Sequence, residues 1–410
     1  MSSPLSSLKI LDFSTLLPGP FASMLLADLG ADVVRVEAPD RPDMVRFLPP
    51  FDGDISAWHG VLNRNKRSIA LDLKQPEAVE VVKRLVAAEG GGFDIVLEQF
   101  RPGVMARLGI GYEALRAVNP ALIYCAITGY GQTGPYQQRA GHDNNYLALS
   151  GLMSHSGRKE GGPPPLGAQI ADVGGGSFGA ITGILAAVIQ RHLTGQGQLV
   201  DISMLDMVIA WQAHAISNYL VGGDIPEPES WALNGGSFYD TYETEDGRYL
   251  AIGSLEPKFW QGLCATLNRP DLIGRGLDQS PANQQSLKGE IAKEIGKRPL
   301  SFWQALFADK DVCVEPVLTI PEMLAHPQVQ ARNMVVNVPK PDGGTQQQIA
   351  SPFKLSEGEA EYRWVGTAVG QHTDEVLIDA GYTQNKIKEL RQSGDVWIVS
   401  FSWCGDLWLG

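Results

Sequence analysis

Residues 8–37 read LKILDFSTLLPGPFASMLLADLGADVVRVE, and this stretch decides the fold. Leu8–Phe13 is a short apolar run of the kind that fills a buried strand. Pro18-Gly19-Pro20 breaks it, and Phe21–Leu29 then carries helical spacing. Gly30 closes that helix, being suited to the left-handed turn that follows one. Asp32–Glu37 is a second strand. Further strands are expected at Ser68–Leu73, Phe93–Leu97 and Ala121–Thr128, with a helix over Pro76–Ala88. Strands alternating with helices imply an α/β architecture, a parallel sheet covered by helices in a Rossmann-like layer.

The second half is organised differently. Val173–Leu193 reads as a long helix, glycine-rich at its start, followed by a strand at Gln198–Ile202 and a second long helix to about Tyr219. Gly222–Ser237 has the Gly, Pro and acid content of a linker. Phe238–Ile252 has hairpin character around Asp246-Gly247, and helical patterns follow at Pro257–Leu267 and Pro299–Ala308. The reading is a large Rossmann-like domain over 1–221 completed by 335–395, a smaller α+β domain over 230–330, and an irregular apolar tail over 396–410. Pro339–Ser356 reads as another linker, leading to a helix pair near Asp374–Gln392.

Composition narrows the function. A net charge of −13 argues against nucleic acid, whose binding needs a basic face. The four cysteines (Cys125, Cys264, Cys313, Cys404) form no paired spacing, which fits a reducing compartment without a disulfide framework or zinc site. The remaining histidines (His59, His155, His192, His214, His326, His372) show no paired metal spacing either, so no metal is expected. The longest apolar stretch, Ala180–Ile189, is too short for a bilayer, and neither a secretory signal nor a peroxisomal Ser-Lys-Leu ending is visible. The expectation is a soluble intracellular protein, cytoplasmic by default with the organelle (peroxisome or mitochondrion) left open, and with no membrane partner.

Gly129-Tyr-Gly131-Gln-Thr-Gly134 satisfies a dinucleotide pattern, but Pro135-Tyr-Gln-Gln-Arg follows where a helix should open. A glycine turn near a ligand is the better reading. In Gly141-His142-Asp143-Asn144-Asn145-Tyr146, a histidine and an acid precede an apolar helix, and a positioned histidine is a natural general base near neutral pH. Asp172 precedes Val173-Gly174-Gly175-Gly176-Ser177 and reads as a helix cap. Glycines in a first helical turn cost stability, which suggests a ligand approaching the backbone there. Glu256, in Ser254-Leu255-Glu256-Pro257, sits where a strand gives way to a helix.

These segments resemble the α-methylacyl-CoA racemases, within the family III CoA-transferase (CaiB/BaiF) superfamily. The resemblance runs to about Gly394 and is carried by PGPFASMLLADLGADVVRVE, NKRSIALDLKQP, FRPGVMARLGIG, ITGYGQTGP, GHDNNYLALSG, ADVGGGS, FYDTYETEDGRYLAIGSLEPKF and CVEPVLT. It implies His142 and Asp172 as the two bases of a 1,1-proton transfer on a 2-methylacyl-CoA, with Asp143 and Glu256 as acids that partner the histidine. One base removes the α-proton to give an enolate, and the opposite acid returns a proton to the other face. Main-chain N–H groups beside His142 and Asp143 are suggested as donors to the enolate oxygen. The resemblance also implies a CoA site at Arg35, Leu71, Asp72, Leu73, Lys74 and Arg101, with Gly141, Asn144, Asn145 and Tyr146 at the thioester end. Coenzyme A is then part of the substrate, and no separate cofactor is expected. An interlocked homodimer is implied, in which Glu256 reaches His142 of the other chain. The alternative within the superfamily is a CoA-transferase moving CoA between carboxylic acids, with Asp172 as nucleophile. Two positions depart from the pattern: Ala38 stands where an arginine is usual, and Gln371 where a glutamate is usual.

Overall fold

The structure is a computed structural model that describes residues 3–87 and 91–397. The chain divides into two compact units. One takes the residues up to Tyr146, Ala168–Val208 and the chain from Ala331; the other takes Leu147–Gly167 and Ile209–Gln330. The sequence had placed an unbroken large domain up to 221. That boundary was set by the linker expected from Gly222; the helix before it, Ala213–Gly222, falls in the other unit and buries none of its residues.

In the first unit the apolar runs collect in one sheet of seven strands: β1 (Lys9–Asp12), β2 (Asp32–Glu37), β3 (Arg67–Leu71), β4 (Ile95–Glu98), β5 (Ile123–Thr128), β6 (Leu199–Ser203) and β7 (Val396–Trp397). Their order is 7-3-2-1-4-5-6. All pairings are parallel except β7 on β3, which is antiparallel. Val396 and Trp397, assigned from sequence to the irregular tail, thus pair with Leu71 and Ala70, while 398–410 lie outside the described residues. Strand order reverses between β1 and β4, and in open α/β sheets the crevice at such a point, beyond the carboxyl ends of the strands, is where ligands bind.

Helix α1 (Pro18–Asp28) includes the Pro-Gly-Pro that the sequence reading took as a break. Pro18 occupies the first helical position, where a missing N–H costs nothing. Helix α2 (Asp143–Leu149) follows the GHD segment, and α3 (Phe178–Thr194) is preceded by a π-helical turn, Ile170–Ser177. Turn and helix form a continuous apolar rod of 25 residues, half buried, which is long and apolar enough to cross a membrane. It is longer than the Ala180–Ile189 stretch, and α3 packs on β5 and β6. The stretch expected to be a linker at Pro339–Ser356 is largely a hairpin, Val335–Pro339 against Thr345–Ile349. Its polar sequence concealed the strand: Gln346 and Gln348 are buried, and Gln348 Oε1 accepts a hydrogen bond from Arg64.

Charge is buried in this unit as well as apolar surface. Arg64 meets Asp28 at 2.6 Å with both side chains fully enclosed, and also donates to the Ile349 carbonyl at 2.8 Å. Arg35 pairs with Asp43, and Arg46 with Glu37, beside it. Burial alone would raise the Glu37 carboxyl, but Arg35 and Arg46 outweigh it and hold the group well below the usual carboxylate range.

The second unit carries an antiparallel sheet with Tyr249–Ile252 between Asp240–Glu243 and Val314–Pro316. The expected Asp246-Gly247 turn is present, Gly247 adopting φ +71°. Helices Pro257–Thr266, Pro281–Ile295 and Leu300–Phe307 contribute Trp260, Leu263, Leu287, Ile291, Trp303 and Phe307 to its core.

Replacing Arg64 by Leu strands the Asp28 carboxylate in the core, and unfolding in urea at pH 7 should show a loss of about 3–5 kcal/mol. The double variant Asp28→Leu/Arg64→Leu should recover part of that loss. A double variant no more stable than the single one would contradict a stranded charge as the cause.

Candidate active site

The carboxyl ends of β1, β4, β5 and β6 open on one cavity of about 420 Å³. Leu16 and Pro18 reach it from beyond β1, Gln99, Phe100 and Arg101 from beyond β4, Gly129 and Tyr130 from beyond β5, and Met204 from beyond β6. His142, Asn145, Tyr146 and Asp172 complete its wall. The cavity therefore lies at the reversal of strand order, and the GxGxxG segment contributes a turn to it.

Asp172 sits inside the π turn rather than capping a helix, the cap position before the turn being Gln169. Such turns widen a helix by one residue and recur at functional positions. The glycines after it serve packing. A Cβ on Gly176 would lie 2.9 Å from Pro18 Cβ and 3.2 Å from the Met204 side chain, and one on Gly175 3.3 Å from the Met204 carbonyl. The Ser177 hydroxyl donates to the Pro18 carbonyl at 2.7 Å, fastening the turn to α1. The sequence reading had assigned these glycines to close approach of a ligand; at Gly175 and Gly176 it is the protein that approaches.

His142 precedes α2 with its side chain exposed. Its N–H donates to Asn145 Oδ1 at 3.0 Å, and its carbonyl accepts from Asn145 N–H at 2.8 Å. That N–H, suggested as an enolate donor, is thus engaged within the loop. Tyr146 is locked beside it: its hydroxyl donates to the Gly141 carbonyl, and its ring meets that of Tyr130 edge-on at 5.2 Å. A Cβ on Gly141 would fall 2.7 Å from the Tyr146 ring.

Asp143 departs from expectation. Its Oδ1 accepts the N–H groups of Ala171 at 2.6 Å and Asp172 at 3.0 Å, so this carboxylate anchors the π turn. The resemblance implied a partnership with the imidazole; as the first residue of α2, Asp143 gives one oxygen to the backbone of the facing turn instead. Partial burial raises the Asp172 carboxyl, the Asp143 charge raises it further, and His142 opposes both, leaving it pushed up to about 6. Glu256 belongs to the second unit, exposed at the start of helix Pro257–Thr266.

The anticipated CoA contacts separate sharply. Arg101, Gly141, Asn145 and Tyr146 line the cavity. Asn144 is exposed on α2 outside that lining. Arg35 is 1% exposed, paired with Asp43 and 3.6 Å from Glu37, so the core holds it away from ligand. Leu71 is fully buried in β3, and Leu73 is half-buried. Asp72 accepts the Lys74 N–H at 3.1 Å, and the Lys74 ammonium lies 2.8 Å from Asp40 at the surface. Sequence reasoning missed Gln99, Tyr130 and Arg139. Gln99 Oε1 accepts from Gly19 N–H at 2.9 Å, and the Arg139 guanidinium lies over Tyr136 at 4.5 Å. Arg139 stands three residues before His142, a proximity that could have singled it out.

The chain matches CoA-transferase family III over residues 5–373. It is 35% identical to human succinyl-CoA:glutarate CoA-transferase over 96% of this chain and 90% of that protein. It is 34% identical to human alpha-methylacyl-CoA racemase over 94% of this chain and 96% of that protein. Among solved structures, a CaiB/BaiF family protein from Brucella suis superposes with a TM-score of 0.79 at 30% identity, over 93% of this chain and 100% of that one.

A carboxyl raised from 3.8 to about 6 on folding makes ionisation unfavourable to the native state. The penalty is absent below the unfolded value, grows as pH rises from about 4 to about 6, and is complete above that. Asp172→Asn should therefore stabilise the protein at pH 8 by about 1–2 kcal/mol, allowing for partial solvent screening. The gain should vanish near pH 4, and urea midpoints at both pH values measure it.

Proposed function

Starting from the premise that the chain belongs to CoA-transferase family III, we propose that it is a racemase interconverting (2R)- and (2S)-2-methylacyl-CoA thioesters. The observation that carries this reading is that His142 and Asp172 line one cavity. Inversion at a carbon requires one group to take a proton from one face and a second to supply a proton to the other. An imidazole and a carboxyl pushed up to about 6 are both suited to exchange protons near neutral pH. On this reading one of them removes the α-proton, the electron pair passes to the thioester oxygen as an enolate, and the other returns a proton to the opposite face. With the His142 N–H bonded to Asn145, the neighbouring Asp143 N–H is the group we assign to the enolate oxygen. Arg101, exposed at the cavity, suits the phosphates of a CoA ester.

A second reading rests on the equal likeness to succinyl-CoA:glutarate CoA-transferase. There Asp172 attacks the thioester carbonyl, expelling CoA thiolate and forming an acyl anhydride. The thiolate returns to the Asp172 carbonyl, releasing the first acid and leaving an enzyme CoA thioester. A second carboxylate then runs the same steps in reverse and departs as its CoA thioester. That chemistry has no need of an imidazole opposite the carboxylate.

A 2-methylacyl-CoA incubated in deuterium oxide separates the two. Racemisation should place deuterium at the α-carbon with no acceptor acid present, and His142→Ala should lower that exchange at least ~100-fold. Exchange at the wild-type rate in this variant, or CoA transfer to an added dicarboxylate without any α-exchange, would overturn the racemase reading.

A further inference from the structure

We propose that Asp143 is a positioning residue for Asp172, acting at once through the backbone it anchors and through its own charge. This rests on Asp172 being the acting carboxyl group. One oxygen of Asp143 collects two successive N–H groups, those of Ala171 and Asp172, at 2.6 and 3.0 Å. Those two residues follow Ile170 at the start of the π turn, and Asp143 begins α2 directly after His142. A single carboxylate thus ties the segment carrying one base to the turn carrying the other, and the separation of the two reacting groups follows from it.

The same arrangement faces two acids toward each other. The charged groups acting on Asp172 are Asp143 from α2 and His142 from the loop before it. Tyr146, whose own hydroxyl proton is held more tightly by burial and by the Asp172 charge, lines the same cavity with Arg101 and Arg139. Two N–H donors attenuate the Asp143 charge without neutralising it. The remaining charge opposes ionisation of Asp172 and favours its proton-carrying form. An ordinary structural anchor would need only an oxygen acceptor. Asparagine provides one in the same place without charge, so the two contributions can be separated.

The test is a titration of full-length protein labelled with ¹³C at the aspartate carboxyl carbons, Asp172 being assigned by its absence in Asp172→Asn. The wild-type signal should inflect near about 6. In Asp143→Asn it should move down by roughly one unit. Asp143→Ser, which keeps a short oxygen acceptor, should shift it in the same direction. The acid limb of the α-exchange rate should follow. Amide exchange at Ala171 and Asp172 should stay protected in Asp143→Asn and lose protection in Asp143→Ala. An Asp172 inflection unchanged in both charge-removing variants would overturn the proposal. Absence of α-exchange in the wild type would instead overturn the racemase reading, leaving the titration to decide the role of Asp143.

Discussion

The contact of Gly176 with Pro18 and Met204 is the constraint on which the site depends. Helix α1 leaves the sheet from β1, and Met204 follows β6, so this contact joins strands on either side of the reversal in sheet order. The π turn settles between them only because Gly175 and Gly176 present no side chain, and the Ser177 hydroxyl then holds the turn to the Pro18 carbonyl. Asp172 is delivered to the cavity as a result. The helical stability lost to glycine is the counterpart of an approach that a Cβ at Gly176 would force apart.

Electrostatics in the first unit fall into two regimes. In the core, Asp28, Glu37 and Asp43 lie against Arg64, Arg46 and Arg35, so each buried acid faces a cation. At the cavity, Asp172 is partly buried among groups that include another acid, with only His142 opposing the rise in its proton affinity. Paired charges are suited to rigidity. A carboxyl that burial and then a like charge push up to about 6 is suited to moving protons.

Much of this was legible in the sequence, and the reasons for the rest are physical. Asp32–Glu37 is a valine-rich strand that follows a glycine turn, and sequence and structure agree on its bounds. The Thr345–Ile349 strand was hidden because its inward face is glutamine, made tolerable by Arg64 and by a bond between Gln348 and Gln346. Arg35 looked like a ligand cation because sequence reports charge without showing the acids that will enclose it, and Arg64 and Lys66 are enclosed in the same way. Lys66, for example, reaches the Pro20 carbonyl at 2.9 Å and Asn63 at 3.2 Å in the interior. His142 and Asp172 were recognisable from local motifs. The role of Asp143 was not, since it depends on a contact with residues 28 and 29 positions further along.

The pairing of β7 with the outer edge of β3 bears on the order in which the chain can mature. Leu71 and Ala70 emerge early in synthesis, but their partners are Val396 and Trp397. Asp72 N–H likewise awaits the Asp395 carbonyl, and Arg64 awaits Ile349. The whole run Ile209–Gln330 belongs to the other unit and must be made in between. Until then the nascent sheet has an unpaired strand edge and a buried-type arginine lacking part of its enclosure, a state prone to wrong pairing. The small unit, by contrast, draws all its residues from between Leu147 and Gln330 and has no need to wait.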